Sequence, residues 1–209
     1  MDVNRDFLVQ ACQDLVRINS VNPVLVPGAP GERAIAVHTA GVFRQLGLEV
    51  ERHEPEPGRV SVTGRLPGSG GGRSLMLNAH YDTVGVEGMT DPFSGTVADG
   101  RLFGRGAYDM KGSLAAMMAA VESLRRAGVP LRGDLVLAAV ADEEYGSLGT
   151  ADLLARVRTD AAIVTEPTNC AVCLAHKGYE WIEVLTEGRA AHGSRFREGV
   201  DANIRMGRV

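Results

Sequence analysis

The sequence predicts an α/β fold with a mostly parallel sheet flanked by helices. Short apolar runs typical of buried strands alternate along the chain with longer segments whose apolar residues recur at helical spacing. An order of strand, helix, strand, helix, strand is characteristic of parallel strands joined by helical crossovers. The chain has 209 residues, of which 44% are hydrophobic and 23% charged, a composition that is ordinary for a globular protein.

The first elements are predicted to be two helices followed by a hairpin and a buried strand. Apolar residues recur at helical spacing over 4–18 and 32–46, and Gly47 is expected to end the second helix. Two segments that alternate polar and apolar residues predict a hairpin, and a short apolar run predicts the buried strand. These strands are expected at residues 50–53, 60–63 and 75–79.

A long glycine-rich segment, 82–112, is predicted to be a functional loop, because loops of that length in a compact domain usually have a function. Helices and strands are predicted to alternate after it. Helices are expected at 113–127 and 147–157, and strands at 135–140 and 161–165. The fully apolar composition of 135–140 indicates a central strand that is covered on both faces.

Two domains are expected, residues 1–175 and residues 176–209. The first contains the whole alternating pattern. The second contains only a predicted strand at 179–186 and the start of a helix near Val200, which is too little for a core of its own. We therefore expect the chain to be a fragment that ends within its second domain.

Charge and composition argue against several classes of protein. The chain has 22 basic and 26 acidic residues and a net charge of −4, whereas a bulk nucleic-acid binder would be basic. No stretch approaches the ~20 apolar residues of a membrane span, and the first residues lack an apolar signal core. Three cysteines are too few for a disulfide scaffold. We expect a cytoplasmic protein with no nucleic-acid or membrane partner.

Side chains that can bind a metal follow three of the predicted strands. His80 and Asp82 follow the first, Glu143 and Glu144 the second, and Glu166 the third. Ligands of α/β sheets bind beyond the carboxyl ends of the strands, so these side chains are expected to converge. Clustered carboxylates repel one another, and a bound cation resolves that conflict. Imidazole and carboxylates without thiolates suit catalytic Zn²⁺ or a similar divalent ion.

The spacing of these residues adds detail. In extended chain His80 and Asp82 point the same way, so Asp82 can accept the second N–H of a metal-binding His80. Glu143 and Glu144 are adjacent and diverge, so one can bind metal while the other acts as a general base. A single strand end of this kind is more often an ordinary surface loop. Three such ends, together with Asp109 in a glycine-flanked loop, favour a functional site.

Five sequence blocks span residues 80 to 194, which is most of the chain. They are His80-Tyr81-Asp82-Thr83-Val84, residues 104–112 (GRGAYDMKG), Asp142-Glu143-Glu144, Thr165-Glu166-Pro167 and Ala191-His192-Gly193-Ser194. In this order the five blocks resemble the M20 family of metallopeptidases. This family includes acetylornithine deacetylase, succinyl-diaminopimelate desuccinylase, aminoacylase and glutamate carboxypeptidase.

The resemblance implies a zinc-exopeptidase-like catalytic domain, followed by the start of an α+β lid domain through which the protein dimerises. It implies two Zn²⁺ ions, for which Co²⁺ or Mn²⁺ can substitute. His80 and Glu166 are then expected to bind one zinc, and Asp109 to bridge it to the second. Glu144 is expected to bind the second zinc.

The resemblance also implies catalytic roles. Glu143 is expected to be the general base on the attacking water, and Asp82 to support His80. The peptide bond after Asp109 is expected to be cis. His192 is expected to reach the active site of the partner subunit of a homodimer and to stabilise the oxyanion. The implied reaction hydrolyses a linear amide of an N-acyl amino acid or a peptide-like small molecule.

One feature of the family is missing from this sequence. Family members are much longer and carry a final histidine ligand for the second zinc near their C-terminus, and none of His38, His53 and His176 stands where that ligand belongs. A non-catalytic fragment or scaffold that binds at most one metal ion is therefore the alternative. The presence of Glu143 favours an enzyme, whereas the shortness of the chain favours the fragment and predicts an inactive chain.

Overall fold

The computed structural model describes residues 2–175, 177–178, 180 and 182–209. It forms two compact units, Met1–Cys170 and Ala171–Val209. The expected domain boundary after residue 175 stays a prediction. The first unit contains, in chain order, α1 (Arg5–Arg17), α2 (Arg33–Gln45), β1 (Glu49–Glu56), β2 (Arg59–Leu66), β3 (Leu75–His80), β4 (Thr96–Ala98), β5 (Arg101–Phe103), α3 (Lys111–Arg126), β6 (Leu135–Val140), α4 (Leu148–Arg156) and β7 (Ala161–Val164).

The first two helices form where the apolar spacing predicts them. Asn4 caps α1, because its side chain accepts a hydrogen bond from the N–H of Phe7 at 3.2 Å and so satisfies a donor that the first turn leaves unpaired. Gly47 follows α2 with a φ of 72°. This left-handed conformation is available to glycine without strain and ends the helix.

A five-stranded mixed sheet in the order β1-β2-β6-β3-β7 forms the centre of the first unit. The hairpin strands β1 and β2 pair antiparallel, and β2 also pairs antiparallel with β6. In contrast, β3 pairs in parallel with both β6 and β7. The α/β class is confirmed, and the parallel half of the sheet lies on the side of β6, β3 and β7.

Helices cover both faces of this sheet. Side chains of β6 alternate between two apolar clusters, as the period of a strand requires. Leu137 belongs to the larger cluster with residues of α1, α2 and α3, such as Phe43. Val136 belongs to the smaller cluster, where Leu153 of α4 covers the opposite face. All six residues of β6 are buried, which confirms the prediction of a central strand.

The prediction of an uninterrupted loop over 82–112 is wrong in two places. β4 and β5 form a small antiparallel hairpin inside it, and α3 begins at Lys111 instead of residue 113. The hairpin strands have three residues each and bury none of them fully. Alternation between buried and exposed positions is therefore absent, and with it the signal that identifies a half-buried strand.

The second unit contains a 3₁₀ helix, Gly193–Glu198, and a short helix, α5 (Ala202–Met206). The helix predicted near Val200 is therefore present. Of the strand predicted at 179–186, Tyr179 and Trp181 lie outside the described residues, and the remainder is not in a strand. A strand needs a hydrogen-bonded neighbour, and the described residues of this segment have no backbone bridge. In the part of the chain that the structure describes, no helix combines the length and apolar character that crossing a bilayer requires.

Candidate metal centre

The carboxyl ends of three parallel strands meet at one edge of the sheet. β3 lies between β6 and β7, with His80 opposite Val140 and Asn78 opposite Val164. The residues that follow these strands are therefore brought to the same place, as expected for an α/β sheet. His80 is the last residue of the middle strand and lies at the centre of the group.

The imidazole of His80 faces three carboxylates. Its side chain is only 1% exposed, and Nε2 lies 3.0 Å from Oδ1 of Asp109. The same nitrogen lies 3.5 Å from Oε1 of Glu166 and 3.7 Å from Oε2 of Glu143. His80, Asp109 and Glu166 each offer a ligand atom, and these atoms all lie within 4.8 Å of one another. The structure thus brings together the three residues that the sequence suggests for the first metal position.

The other ring nitrogen of His80 is held by the main chain. Nδ1 lies 3.0 Å from the carbonyl oxygen of Asp82, whereas the Asp82 carboxylate is 3.6 Å away. A carbonyl oxygen only accepts, so Nδ1 donates to it, and Nε2 is the ring nitrogen that faces the carboxylates, where a metal ion would take the place of its proton. The support expected from the carboxylate of Asp82 therefore comes mainly from its main-chain oxygen.

The carboxylate of Asp82 holds the loop after β6 in place, because it accepts hydrogen bonds from the main chain of that loop. The N–H groups of Glu143 and Glu144 donate to it at 3.0 Å and 3.2 Å, and Nδ2 of Asn22 donates at 2.8 Å. Burial alone would raise the pKa of Asp82, but the adjacent His80 and these hydrogen bonds lower it. The charged form of this buried group is thus stabilised by its donors.

Negative charge dominates the electrostatics of the centre. Burial opposes protonation of His80, but hydrogen bonds to Asp109 and Asp82 outweigh it and raise the pKa of His80 to about 11. Burial, with the neighbouring carboxylates, raises the pKa of Glu144 to about 7 and also raises that of Glu166. A cluster that attracts a proton this strongly will also attract a divalent cation.

The donor set fits zinc. With bonds of about 2.0–2.2 Å and tetrahedral geometry, ligand atoms lie roughly 3.3 Å from one another. The distances from His80 Nε2 to Asp109 and Glu166, 3.0 Å and 3.5 Å, lie on either side of that value. One imidazole and two carboxylates leave a fourth position for water or substrate, as in catalytic sites. The Asp109 side chain is 53% exposed, so the three-residue group is accessible to solvent on the side of this carboxylate.

Among the described residues, the others expected at the site are not part of the group formed by His80, Asp109 and Glu166. Glu144 lies on the same loop as Glu143, but its carboxylate is not part of the three-residue group. The peptide bond between Asp109 and Met110 is cis. His192 belongs to the second unit, where its Nδ1 lies 2.9 Å from Oγ of Ser194, and its catalytic role stays a prediction. His176 lies outside the described residues.

A buried polar network beneath the centre was missed from the sequence. Nδ2 of Asn22 also donates to Oδ1 of Asp142 at 3.0 Å. Arg59 donates to the same carboxylate of Asp142 and lies 3.0 Å from Oε1 of Glu32. All four residues are buried. Asn22 and Arg59 are far from Asp142 in sequence, so spacing gives no signal; the only available signal is the adjacency of Asn22 and a proline between two predicted helices.

Comparison with known proteins agrees with this geometry. The model of peptidase family M20/M25/M40 matches residues 76–194. The chain is 32% identical over 176 residues to the N-formyl-4-amino-5-aminomethyl-2-methylpyrimidine deformylase of Bacillus subtilis (strain 168), covering 81% of this chain and 40% of the relative. It is 36% identical over 170 residues to acetylornithine deacetylase of Salmonella arizonae, covering 78% and 43%. The chain spans about two fifths of the length of these relatives.

Solved structures show the same fold. The M20 family metallo-carboxypeptidase Sso-CP2 from Sulfolobus solfataricus has a TM-score of 0.67 at 22% identity, covering 79% of this chain and 37% of that chain. A tripeptidase from Staphylococcus aureus has a TM-score of 0.65 at 21% identity, covering 99% of this chain and 56% of that chain. At these identities the likeness concerns the fold alone.

Proposed function

The chain belongs to peptidase family M20/M25/M40, and from that premise we propose that it acts in a metal-dependent hydrolase that cleaves a linear amide bond. The observation that carries this proposal is the convergence of His80 Nε2 with carboxylate oxygens of Asp109 and Glu166 within 4.8 Å. His80 and Glu166 lie at the carboxyl ends of parallel strands, where ligands of α/β sheets bind, and one imidazole with two carboxylates is typical of a catalytic metal site.

The metal that we propose is zinc, held by His80, Asp109 and Glu166. When bound, it supplies a Lewis acid that polarises the amide carbonyl and lowers the pKa of water. A second zinc, with Asp109 as the shared ligand and Glu144 as its own, is part of the proposal. The raised pKa of Glu144, caused by burial and then by nearby charges that include Asp109 and Asp82, supports a place for it beside the same cluster.

Glu143 is the proposed general base. Its Oε2 lies 3.7 Å from His80 Nε2, and its side chain is 40% exposed, so the carboxylate borders the cluster and remains accessible to water. Its main-chain N–H is fixed by Asp82. From this position Glu143 takes a proton from the attacking water and returns it to the leaving amine.

The substrate class that we propose is a small N-acyl amino acid or peptide-like molecule. The name of one relative describes removal of an N-formyl group and the name of the other removal of an acetyl group, and this shared deacylation supports an N-acyl substrate. A homodimer formed through the second unit, with His192 stabilising the oxyanion in the partner subunit, belongs to the same proposal, as does a cytoplasmic location.

Hydrolysis and metal content measured on the same preparation test this function. The protein is loaded with zinc and assayed on N-acetyl and N-formyl amino acids, before and after removal of the metal with EDTA. The proposal predicts hydrolysis that EDTA abolishes and zinc restores. Zinc that binds without any hydrolysis would support the alternative, a non-catalytic metal-binding protein.

A further inference from the structure

The side-chain amide of Asn22 joins two buried carboxylates beneath the metal centre. Nδ2 donates to Oδ2 of Asp82 at 2.8 Å and to Oδ1 of Asp142 at 3.0 Å. The amide nitrogen has two hydrogens, and the two carboxylates use both of them. Oδ1 of Asn22 accepts the N–H of Val24 at 3.0 Å, which fixes the orientation of the amide.

The segment that carries Asn22 is itself attached to the chain after β3. The main-chain N–H of Asn22 donates to the carbonyl of Thr83 at 2.9 Å, and the N–H of Thr83 donates to the carbonyl of Ser20 at 3.1 Å. Oγ of Ser20 donates to the carbonyl of Tyr81 at 2.6 Å. Because these bonds flank Asn22, its amide has little freedom to move away from Asp82.

Asp142 carries the second carboxylate that the Asn22 amide holds. It adopts a φ of 63°, a left-handed conformation that is uncommon outside glycine, and it directly precedes Glu143. Its carboxylate is held by both Asn22 and Arg59. These contacts keep the turn between β6 and the following loop in one conformation, and that conformation determines the main-chain positions of Glu143 and Glu144.

We infer that Asn22 is a positioning residue of the metal centre, whose amide holds the carboxylates of Asp82 and Asp142 together and so sets the spacing between His80 and Glu143. The inference rests on the proposed function, since it assigns Glu143 as the base. Asp82 and Asp142 repel each other where water cannot screen them, and a donor shared between them offsets that repulsion. Asn22 would act without contact to the substrate.

Two variants of Asn22 separate this role from that of a loop cap. Asn22→Asp keeps the size of the side chain and the acceptor for Val24 but replaces the shared donor with a third carboxylate. Asn22→Ala removes both the donor and the acceptor. Asn19→Asp is the matched control, because the Asn19 side chain also accepts a backbone N–H, that of Val21 at 3.0 Å, and the same chemical change there leaves that acceptor in place.

The experiment measures zinc affinity by competition with a chelator, kcat and KM for an N-acetyl amino acid, and the melting temperature of the metal-free form, all at pH 8. We expect Asn22→Asp to lower zinc affinity and kcat by about 10–100-fold, the range found for outer partners of metal ligands, with KM close to that of the wild type. Asn19→Asp is expected to match the wild type in each measurement.

Wild-type zinc affinity and kcat in Asn22→Asp, with a defect in Asn22→Ala alone, would overturn the inference, because they would leave only the loop cap. If Asn22→Asp does not fold, the double variant Asn22→Asp/Asp142→Asn restores one amide and two carboxylates, as in the wild type. It is expected to fold and to recover part of the zinc affinity, and a double variant that recovers nothing would contradict the inference. A wild-type protein that binds zinc but cleaves no amide would instead contradict the proposed function.

Discussion

The carboxylate of Asp82 accepts a hydrogen bond from the main-chain N–H of Glu143 at 3.0 Å. Asp82 follows β3, two residues after His80, and Glu143 follows β6. This single contact therefore connects the strand that presents the imidazole to the loop that presents the proposed base. The same carboxylate accepts the N–H of Glu144, so both adjacent acids are placed relative to His80 by one buried side chain.

Glu143→Gln tests the assignment of the base. The amide keeps the size of the side chain but cannot take a proton from water, so we expect zinc content to be unchanged and kcat to fall by at least ~10²–10⁴-fold. Glu51→Gln, at an exposed position of β1, is the control and should leave kcat unchanged. Activity of Glu143→Gln within about tenfold of the wild type would assign the base elsewhere.

Asp109→Ala tests the proposed shared ligand. Asp109 Oδ1 lies 3.0 Å from His80 Nε2, and its removal takes a carboxylate from both proposed metal positions. We expect the zinc content per chain, measured by atomic absorption after dialysis, to fall at both positions, while Asp2→Ala at the exposed N-terminal end retains it. Two ions still bound per chain in Asp109→Ala would show that Asp109 is not the bridge.

Glu32→Gln tests the buried network through the pH dependence of stability. Burial raises the pKa of Glu32 from 4.5 to about 7, against the opposing charge of Arg59. Between these values the folded state binds a proton that the unfolded chain has released, so stability falls as pH rises through that interval. Glu32→Gln removes this contribution, which is on the order of 3 kcal/mol.

The measurement is urea denaturation of the metal-free protein from pH 4.5 to 8, with the unfolding free energy of each protein plotted against pH. The wild type is expected to lose more stability across this interval than Glu32→Gln does. Parallel curves for the two proteins would show that Glu32 has no raised pKa in the folded state.

Two glycine substitutions test local packing, one beside the turn after β6 and one inside α2. A Cβ on Gly149 would lie 2.5 Å from the carbonyl oxygen of Ala141 and 2.5 Å from Oγ of Ser61, so Gly149→Ala should destabilise the protein by about 1–3 kcal/mol. Gly41 lies inside α2 with no atom within 4 Å of such a Cβ. Gly41→Ala should therefore stabilise the protein by roughly 0.5–1 kcal/mol. Thermal unfolding measures both changes in stability. A Gly149→Ala variant as stable as the wild type would contradict the close approach of Gly149 to Ala141 and Ser61.

The sequence was informative wherever local pattern determines structure. Strands β3, β6 and β7 are recognisable from apolar runs, and parallel pairing then brings the residues that follow them to one edge. His80 and Glu166 could be placed together on this basis. Asp109 could be placed only through its glycine-rich block, because its loop follows no strand of the main sheet.

The parts that could not be predicted depend on contacts between residues that are distant in sequence. Asn22 reaches Asp142 across 120 positions and Arg59 reaches it across 83, and neither belongs to a periodic pattern. The hairpin of β4 and β5 was missed for a different reason. Each strand has only three residues, and all of them are exposed except the half-buried Leu102, so the strands are too short for hydrophobic alternation to mark them.

Anomalous X-ray scattering at the zinc absorption edge, from crystals grown with zinc, shows directly whether His80, Asp109 and Glu166 bind zinc. We expect a peak about 2.0–2.2 Å from Nε2 of His80 and from one carboxylate oxygen each of Asp109 and Glu166. Crystals of His80→Ala, grown in the same way, should lack that peak. Zinc bound by other residues in wild-type crystals, with no peak between these three side chains, would show that they do not form the metal site.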